Sequence, residues 1–163
     1  MTAAKKKTPE SSRVKLHQLM LPEHGNALGN VHGGLIMKMV DEAGAIAAMR
    51  HAQRPCVTVA IDSMTFRQAV HLGELLMCDA RVTYVGRTSI EVSVHVTAEN
   101  PITSDVTHTN SAHLVYVALG GDGRPVEVPA LELESETDRH AHAEGELRQR
   151  ERLARAKRET AAP

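Results

Sequence analysis

The chain of 163 residues is poor in aromatic side chains, with no tryptophan, one phenylalanine (Phe66) and two tyrosines (Tyr84 and Tyr116). So few rings leave almost nothing to stack bases along a single-strand groove, and the core must be aliphatic and methionine-rich. An excess of positive charge is missing too. Nineteen Lys and Arg stand against twenty Asp and Glu, for a formal net charge of −1. No overall basic field is available to hold a polyanion, so the chain is not expected to bind nucleic acid. Only two cysteines occur, Cys56 and Cys78, both inside apolar runs. They read as reduced, buried thiols rather than a disulfide framework, which points to a cytoplasmic protein. No apolar run approaches the roughly 18 to 20 residues that a membrane span needs. The nearest, residues 33–49, is broken by Lys38, Asp41 and Glu42. Residues 1–13 are polar and Lys-rich with no apolar h-region behind them, and are expected to form a flexible leader rather than a secretory signal.

What remains fits one compact domain over residues 14–133, followed by a charged tail, residues 134–163, that is partly helical or disordered. Within the tail, residues 139–157 contain good helix formers but few large apolar side chains, mainly Leu147 and Leu153. The expectation there is a frayed or partner-dependent helix. Inside the domain, a short strand over residues 14–20 leads through a Gly-rich loop, HGNALGNVHGG, into one long helix over about residues 35–51. After Pro55 the period changes to two, with Val57, Val59 and Ile61 alternating with Thr58, Ala60 and Asp62. Further strands are predicted over residues 74–85, 90–97 and 111–119, with turns at Gly86-Arg87, around 100–105 and at Gly-Gly-Asp-Gly. In the middle one, Ile90, Val92, Val94 and Val96 form a buried face, and Glu91, Ser93, His95 and Thr97 a wet one. One apolar helix and four or five mostly antiparallel strands make an α+β plan in which a curved sheet wraps a central helix.

The helix carries an anomaly. Its apolar and small residues run nearly all round, as in a helix buried on every side, yet Asp41 sits in its middle with Met37, Gly44 and Ala45 along its own face. An ionised carboxylate there is tolerated if it finds donors, takes up a proton or faces a cavity. With a raised pKa and a nearby water it would be a candidate general base. Alternatively it pairs with Lys38, and Glu42, about 100° round the helix, competes for the same role. The loop ahead adds a second component. Gly33-Gly34 leaves first-turn amides uncovered, and a helix N-terminus suits an oxygen that becomes negative during acyl transfer. Asn26 and Asn30 offer side-chain amides, although Asn30 also reads as a simple helix cap. Ten histidines are scattered, with only His140 and His142 close together, and no HExxH or Cys/His cluster occurs, so no metal is expected. A G-x-S-x-G elbow is also missing.

The segment GNALGNVHGGLIMKMVDEAGAIAAMRHA, residues 25–52, resembles the helix region of the hotdog-fold acyl-CoA thioesterases, in particular the cytosolic long-chain acyl-CoA hydrolases and their bacterial single-domain relatives. The resemblance continues, in the same order, through VTVAIDSMTFRQAVHLGELL, VTYVGRTSIEVSVHVTAEN and VYVALGGDGRPVEVP, and covers about residues 14–130. It implies a hotdog fold and hydrolysis of fatty acyl-CoA to free fatty acid and coenzyme A. It further implies a catalytic pair built across a dimer interface. Asp41 would activate water or attack directly, Asn26 of the partner subunit would orient water or substrate, and the amides near Gly33 and Gly34 would receive the oxyanion. One module holding both residues implies a homodimer with two equivalent sites, assembling further into a hexamer as a trimer of dimers. No cofactor is implied, since coenzyme A enters as part of the substrate.

By the same resemblance, the turn containing Gly86, Arg87, Thr88 and Ser89 lies near the nucleotide and phosphates, with Arg67 a second phosphate candidate. Either arginine reads equally well as a solvated turn residue. Met37, Met64 and Met77 are candidates to line the acyl tunnel. Two other functions stay open, because hotdog domains host several chemistries. An enoyl-CoA hydratase or dehydratase would need a His and an acid facing each other, for which His32 and Glu42 are the available pair. A non-catalytic acyl-CoA-binding module needs neither.

Overall fold

The computed structural model describes residues 6–62 and 64–160, so the first five residues of the expected leader and the last three of the tail lie outside the described residues. The elements run β1 (Val14–Leu19), α1 (Gly33–Ala52), β2 (Cys56–Ile61), β3 (Leu75–Val85), β4 (Ser89–Glu99), β5 (Val106–Ala118) and α2 (Glu136–Thr160), with short 3₁₀ turns at Glu10–Ser12 and Pro22–His24. The five strands form one antiparallel sheet in the order β1-β3-β4-β5-β2. β2, although it directly follows α1, crosses to the far edge and pairs with β5. Register shifts at Thr58/Ala60, Val82/Tyr84 and Val96/Thr97 mark bulges, which bend strands of 11 and 13 residues so that the sheet curls. This is the expected α+β hotdog plan, a curved sheet wrapped round a long helix.

The inner face of the sheet is aliphatic. Leu76, Ala80, Val82, Ile90, Val92, Val94, Leu114 and Ala118 are all at most 1% exposed, and they meet Ile36, Met39, Val40, Ala43, Ala47 and Ala48 of α1. The helix starts where the His32 side chain accepts the Gly34 amide, and stops at Gln53, whose left-handed backbone (φ 55°) ends the turn. It is not buried on every side as its composition suggests. Lys38, Glu42 and Arg50 are exposed on its outer side together with Met37 and Met49, because a single curved layer covers only one flank of a helix.

Both ends of the described chain are more tightly held than their composition indicates. Lys7, in the expected flexible leader, bridges to Leu131 in parallel, its amide donating to the Ala130 carbonyl and its ammonium to the Arg50 carbonyl at 2.7 Å. Arg13 forks onto both carboxylate oxygens of Asp79. The C-terminal helix α2 is docked rather than frayed. Ser135 and Asp138 cap it reciprocally, and Arg81 binds Asp138 at 2.7 Å. An added Cβ on Gly145 would stand 2.6 Å from Tyr84 Cβ, so this glycine allows close approach to the sheet. Arg148 and Arg152 reach Glu91 at 2.8 Å each, and Arg152 also reaches Asp62 at 2.8 Å. Glu91 is consequently 1% exposed, which corrects the wet face predicted for this part of β4. The period-two pattern shows which side chains share a face, but not that a distant helix will cover that face. No helix among the described residues is long and apolar enough to cross a membrane.

Burial alone pushes the Glu91 carboxyl up, but hydrogen bonds from Arg148, Arg152 and Thr83 outweigh it and hold the group below its ordinary value of 4.5. A depressed folded-state pKa contributes stability that is present above the ordinary value and lost as pH falls below it. The urea midpoint of the protein is therefore expected to drop as pH falls below about 4.5. At pH 7, Arg152→Ala leaves Asp62 without its guanidinium and Glu91 with Arg148 as its one remaining arginine, and is expected to cost about 3 kcal/mol in urea unfolding; a loss below about 1 kcal/mol would show that the Arg152 pairs do not hold α2.

Candidate active site

The loop ahead of α1 is folded by its own polar groups. Asn26 donates its amide N–H to the Asn30 carbonyl at 2.7 Å, and its side-chain Oδ1 accepts from the backbone of Leu28 (2.9 Å) and Asn30 (3.2 Å). Gly29, with φ +79°, closes this tight turn by donating to the Asn26 carbonyl. The Asn26 carbonyl oxygen is thus committed to the loop, while Nδ2 has no partner among the described residues. Asn26, Asn30, Gly33, Ile36, Phe66 and Arg67 line a cavity of about 330 Å³. The two glycine amides differ. That of Gly34 is taken by His32 Nδ1 at 2.9 Å, which removes it as an oxyanion donor and makes His32, not Asn30, the cap. The Gly33 amide has no partner among the described residues and opens beside the cavity that it lines.

On the sheet-facing flank of α1 the two carboxylates separate. Glu42 is exposed and paired with Lys38 at 3.3 Å. Asp41 is half-buried and takes neither lysine nor arginine; two hydroxyls hold it instead. Thr58 Oγ donates to Asp41 Oδ1 at 2.8 Å, and the Tyr116 hydroxyl lies 3.2 Å from the same oxygen and 3.0 Å from the Asp41 backbone carbonyl. Thr58 and Tyr116 are direct cross-strand partners on β2 and β5, so one sheet position supplies both donors. Asp41 Oδ2 has no hydrogen-bond partner among the described residues. Burial, and then the neighbouring Asp41 carboxylate, push the Tyr116 hydroxyl well above its usual range, so it stays a donor. Burial also raises the Cys56 thiol to about 11 and the Cys78 thiol to about 12, leaving neither as a thiolate near neutral pH.

The expected phosphate-binding residues fall in two places. Arg67 belongs to the cavity of Asn26 and Gly33. Gly86 and Ser89 close the β3–β4 turn, Gly86 N donating to Ser89 O at 2.9 Å. Arg87 is exposed at its tip, and Thr88 and Ser89 border a groove of about 610 Å³ whose other walls include Val59, Val117, Arg152 and Arg155. No cavity described within one chain contains both Asn26 and Asp41. Of the three methionines, Met77 lies on the sheet face turned away from α1, beside His17 and His95, and so lines no helix-side tunnel. The His32 and Glu42 pair is not assembled either, since His32 caps the helix and Glu42 faces out with Lys38. Two site residues escaped the sequence reading. Thr58 looks like an ordinary polar position of an alternating strand. Tyr116 is a lone phenol among aliphatic strand residues, and with Gly44 inside a helix it carried the available signal.

A sequence model of the thioesterase superfamily matches residues 28–104. Acyl-CoA thioester hydrolase YciA of Salmonella typhimurium is 36% identical over 126 residues, which span 75% of this chain and 93% of that protein. The cytosolic acyl coenzyme A thioester hydrolase of Mus musculus is 37% identical over 126 residues, covering 72% of this chain but only 33% of the mouse protein. Among solved structures, an apo-hexameric acyl-CoA thioesterase superposes with a TM-score of 0.89 at 35% identity, covering 93% of this chain and 97% of its own. An acyl-CoA hydrolase from Staphylococcus aureus, solved in complex with butyryl coenzyme A, coenzyme A and coenzyme A disulfide, gives 0.88 at 28% identity over 96% of this chain and 95% of its own. Variants of the S. aureus enzyme have also been solved with alanine replacing an aspartate, an asparagine or a threonine.

Gly44 follows Asp41 by three residues, and a Cβ added to it would collide with the Tyr116 hydroxyl and ring. Gly44→Ala is expected to lower stability by about 1 to 3 kcal/mol in urea unfolding, and adding Tyr116→Phe should recover part of the loss. Equal losses in the single and double variants would show that the hydroxyl does not limit the space.

Proposed function

The chain belongs to the acyl-CoA thioester hydrolases of the thioesterase superfamily, and from that premise we propose that it cleaves fatty acyl-CoA to free fatty acid and coenzyme A with Asp41 as general base. The observation that carries the reading is the state of this carboxylate: half-buried, with two hydroxyls on Oδ1 and Oδ2 left open. The asparagine, aspartate and threonine replaced in the S. aureus variants are separated along that chain by the same intervals as Asn26, Asp41 and Thr58 here, which supports assigning all three to one site.

A water oxygen attacks the thioester carbonyl carbon while Asp41 takes one of its protons. The carbonyl oxygen becomes an oxyanion at the helix N-terminus, where the Gly33 amide is the available donor. Collapse breaks the C–S bond, the proton held by Asp41 passes to the leaving sulfur, and the fatty acid and CoA thiol depart with the carboxylate restored. No cofactor takes part. Asn26 of the partner subunit positions the water or the carbonyl through its free amide. This needs a homodimer, since one chain keeps Asn26 and Asp41 in different surroundings; further assembly into a hexamer, as a trimer of dimers, is part of the proposal, and a hexameric relative supports the hexamer. Coenzyme A phosphates are received at the turn of Gly86, Arg87, Thr88 and Ser89, with Arg67 at the mouth of the Asn26 cavity.

Coenzyme A release from palmitoyl-CoA, followed with a thiol reagent, tests the reading. Asp41→Ala is expected to lose at least about 100-fold in kcat, and Asn26→Ala a comparable factor. Mixed Asn26→Ala and Asp41→Ala subunits should regain part of the activity, because each hybrid dimer rebuilds one intact site. A wild-type protein that releases no coenzyme A across a range of chain lengths would refute the hydrolase assignment, and an active Asp41→Ala the choice of base.

A further inference from the structure

We infer that Tyr116 is a positioning residue for this reaction: with Thr58 it occupies Asp41 Oδ1, fixes the carboxylate rotamer and leaves Oδ2 as the oxygen that takes the proton from water. The inference rests on the hydrolase reading and adds which oxygen reacts and what holds it there.

Tyr116 is fully buried near the C-terminal end of β5, and its ring lies among aliphatic neighbours of the sheet's inner face. A phenol in such a place needs a partner for its O–H, and this one finds two acceptors on one residue, the Asp41 backbone carbonyl at 3.0 Å and Oδ1 at 3.2 Å. The first contact ties the helix backbone to the sheet. The second reaches the side chain that is proposed to do chemistry. Thr58 completes the arrangement from the opposing strand at 2.8 Å. A carboxylate on a helix normally rotates about two side-chain bonds; two donors from a rigid sheet on the same oxygen remove that freedom. The helix makes room with Gly44, where any Cβ would strike the phenol oxygen. A glycine inside a helix costs about 1 kcal/mol relative to alanine, so the space beside the hydroxyl is kept against the helix's own preference. Burial and the carboxylate raise the phenol's pKa, which keeps it a donor to Asp41 at neutral pH.

The test uses Tyr116→Phe in the full chain, which keeps the ring and removes only the donor. With palmitoyl-CoA, kcat is expected to fall about tenfold, the factor that matches loss of one hydrogen bond to a charged group, while KM stays within about a factor of two. The acid limb of the pH profile of kcat should move to higher pH, because the ionised form loses a donor. Thr58→Val should act in the same direction, and Thr58→Ser should restore activity by restoring the hydroxyl. A purely structural role moves none of these: if Tyr116→Phe lowers the urea midpoint but leaves kcat and the acid limb as in the wild type, the inference is overturned. Should Tyr116→Phe fail to fold, 3-fluorotyrosine placed at position 116 keeps the shape and strengthens the donor. The acid limb should then move to lower pH, and an unmoved limb refutes the role. An inactive wild type, or an active Asp41→Ala, refutes the hydrolase reading and this inference together; an active wild type and inactive Asp41→Ala with an unaffected Tyr116→Phe refutes the inference alone.

Discussion

The distance at which α1 can lie over the sheet governs the rest of this molecule. Ala43, Gly44, Ala47 and Ala48 are all buried on its inner flank, and small side chains let a helix backbone approach strands closely. At that distance the Tyr116 hydroxyl reaches the helix main chain at Asp41, and the buried aliphatic residues of β3, β4 and β5 pack against the helix in one core. A bulkier residue at 44 would lift the helix and break this contact. The sheet adapts from its side through bulges that bend long strands round the helix.

The same close approach decides between two adjacent acids. Successive residues are about 100° apart round a helix, so turning one carboxylate toward the sheet turns the next toward solvent. Glu42 ends in an exposed pair with Lys38, of a kind that contributes little to stability. Asp41 ends in contact with two sheet hydroxyls, and its second oxygen stays available for chemistry. The helix cap makes a similar division between two amides, since His32 takes that of Gly34 and leaves that of Gly33.

On the far side of the sheet a second, polar layer forms. Glu91 is enclosed by Thr83, Arg148 and Arg152, and Arg152 continues to Asp62 just past β2. Buried ion pairs add less to stability than their number suggests, while removing one partner is costly; their effect here is to fix where α2 lies. That helix in turn walls the groove beside Thr88 and Ser89 and ties the end of the strand that carries Thr58 to β4.

Much of this was legible in the chain itself. Period-two alternation located β3 and β4, the strand ahead of the Gly-Gly-Asp-Gly turn located the C-terminal part of β5, and the apolar run with its glycine loop located α1, because these patterns are set by local geometry. Asp41 stood out since a carboxylate among small apolar residues is costly wherever it lies. The sequence also determined that no overall basic field or aromatic platform exists. Tertiary structure alone decided the partners: that Thr58 and Tyr116 converge on Asp41, that Glu91 is buried rather than wet, that His32 spends the Gly34 amide, and that the leader and tail are pinned. Each depends on groups far apart in the chain, 17 residues for Thr58 and Asp41, 75 for Tyr116 and Asp41 and 90 for Arg152 and Asp62, or on whether one amide meets a nearby ring nitrogen. A sequence pattern reports which way a side chain points on its own element. Which group it meets there is set by the packing of elements against one another.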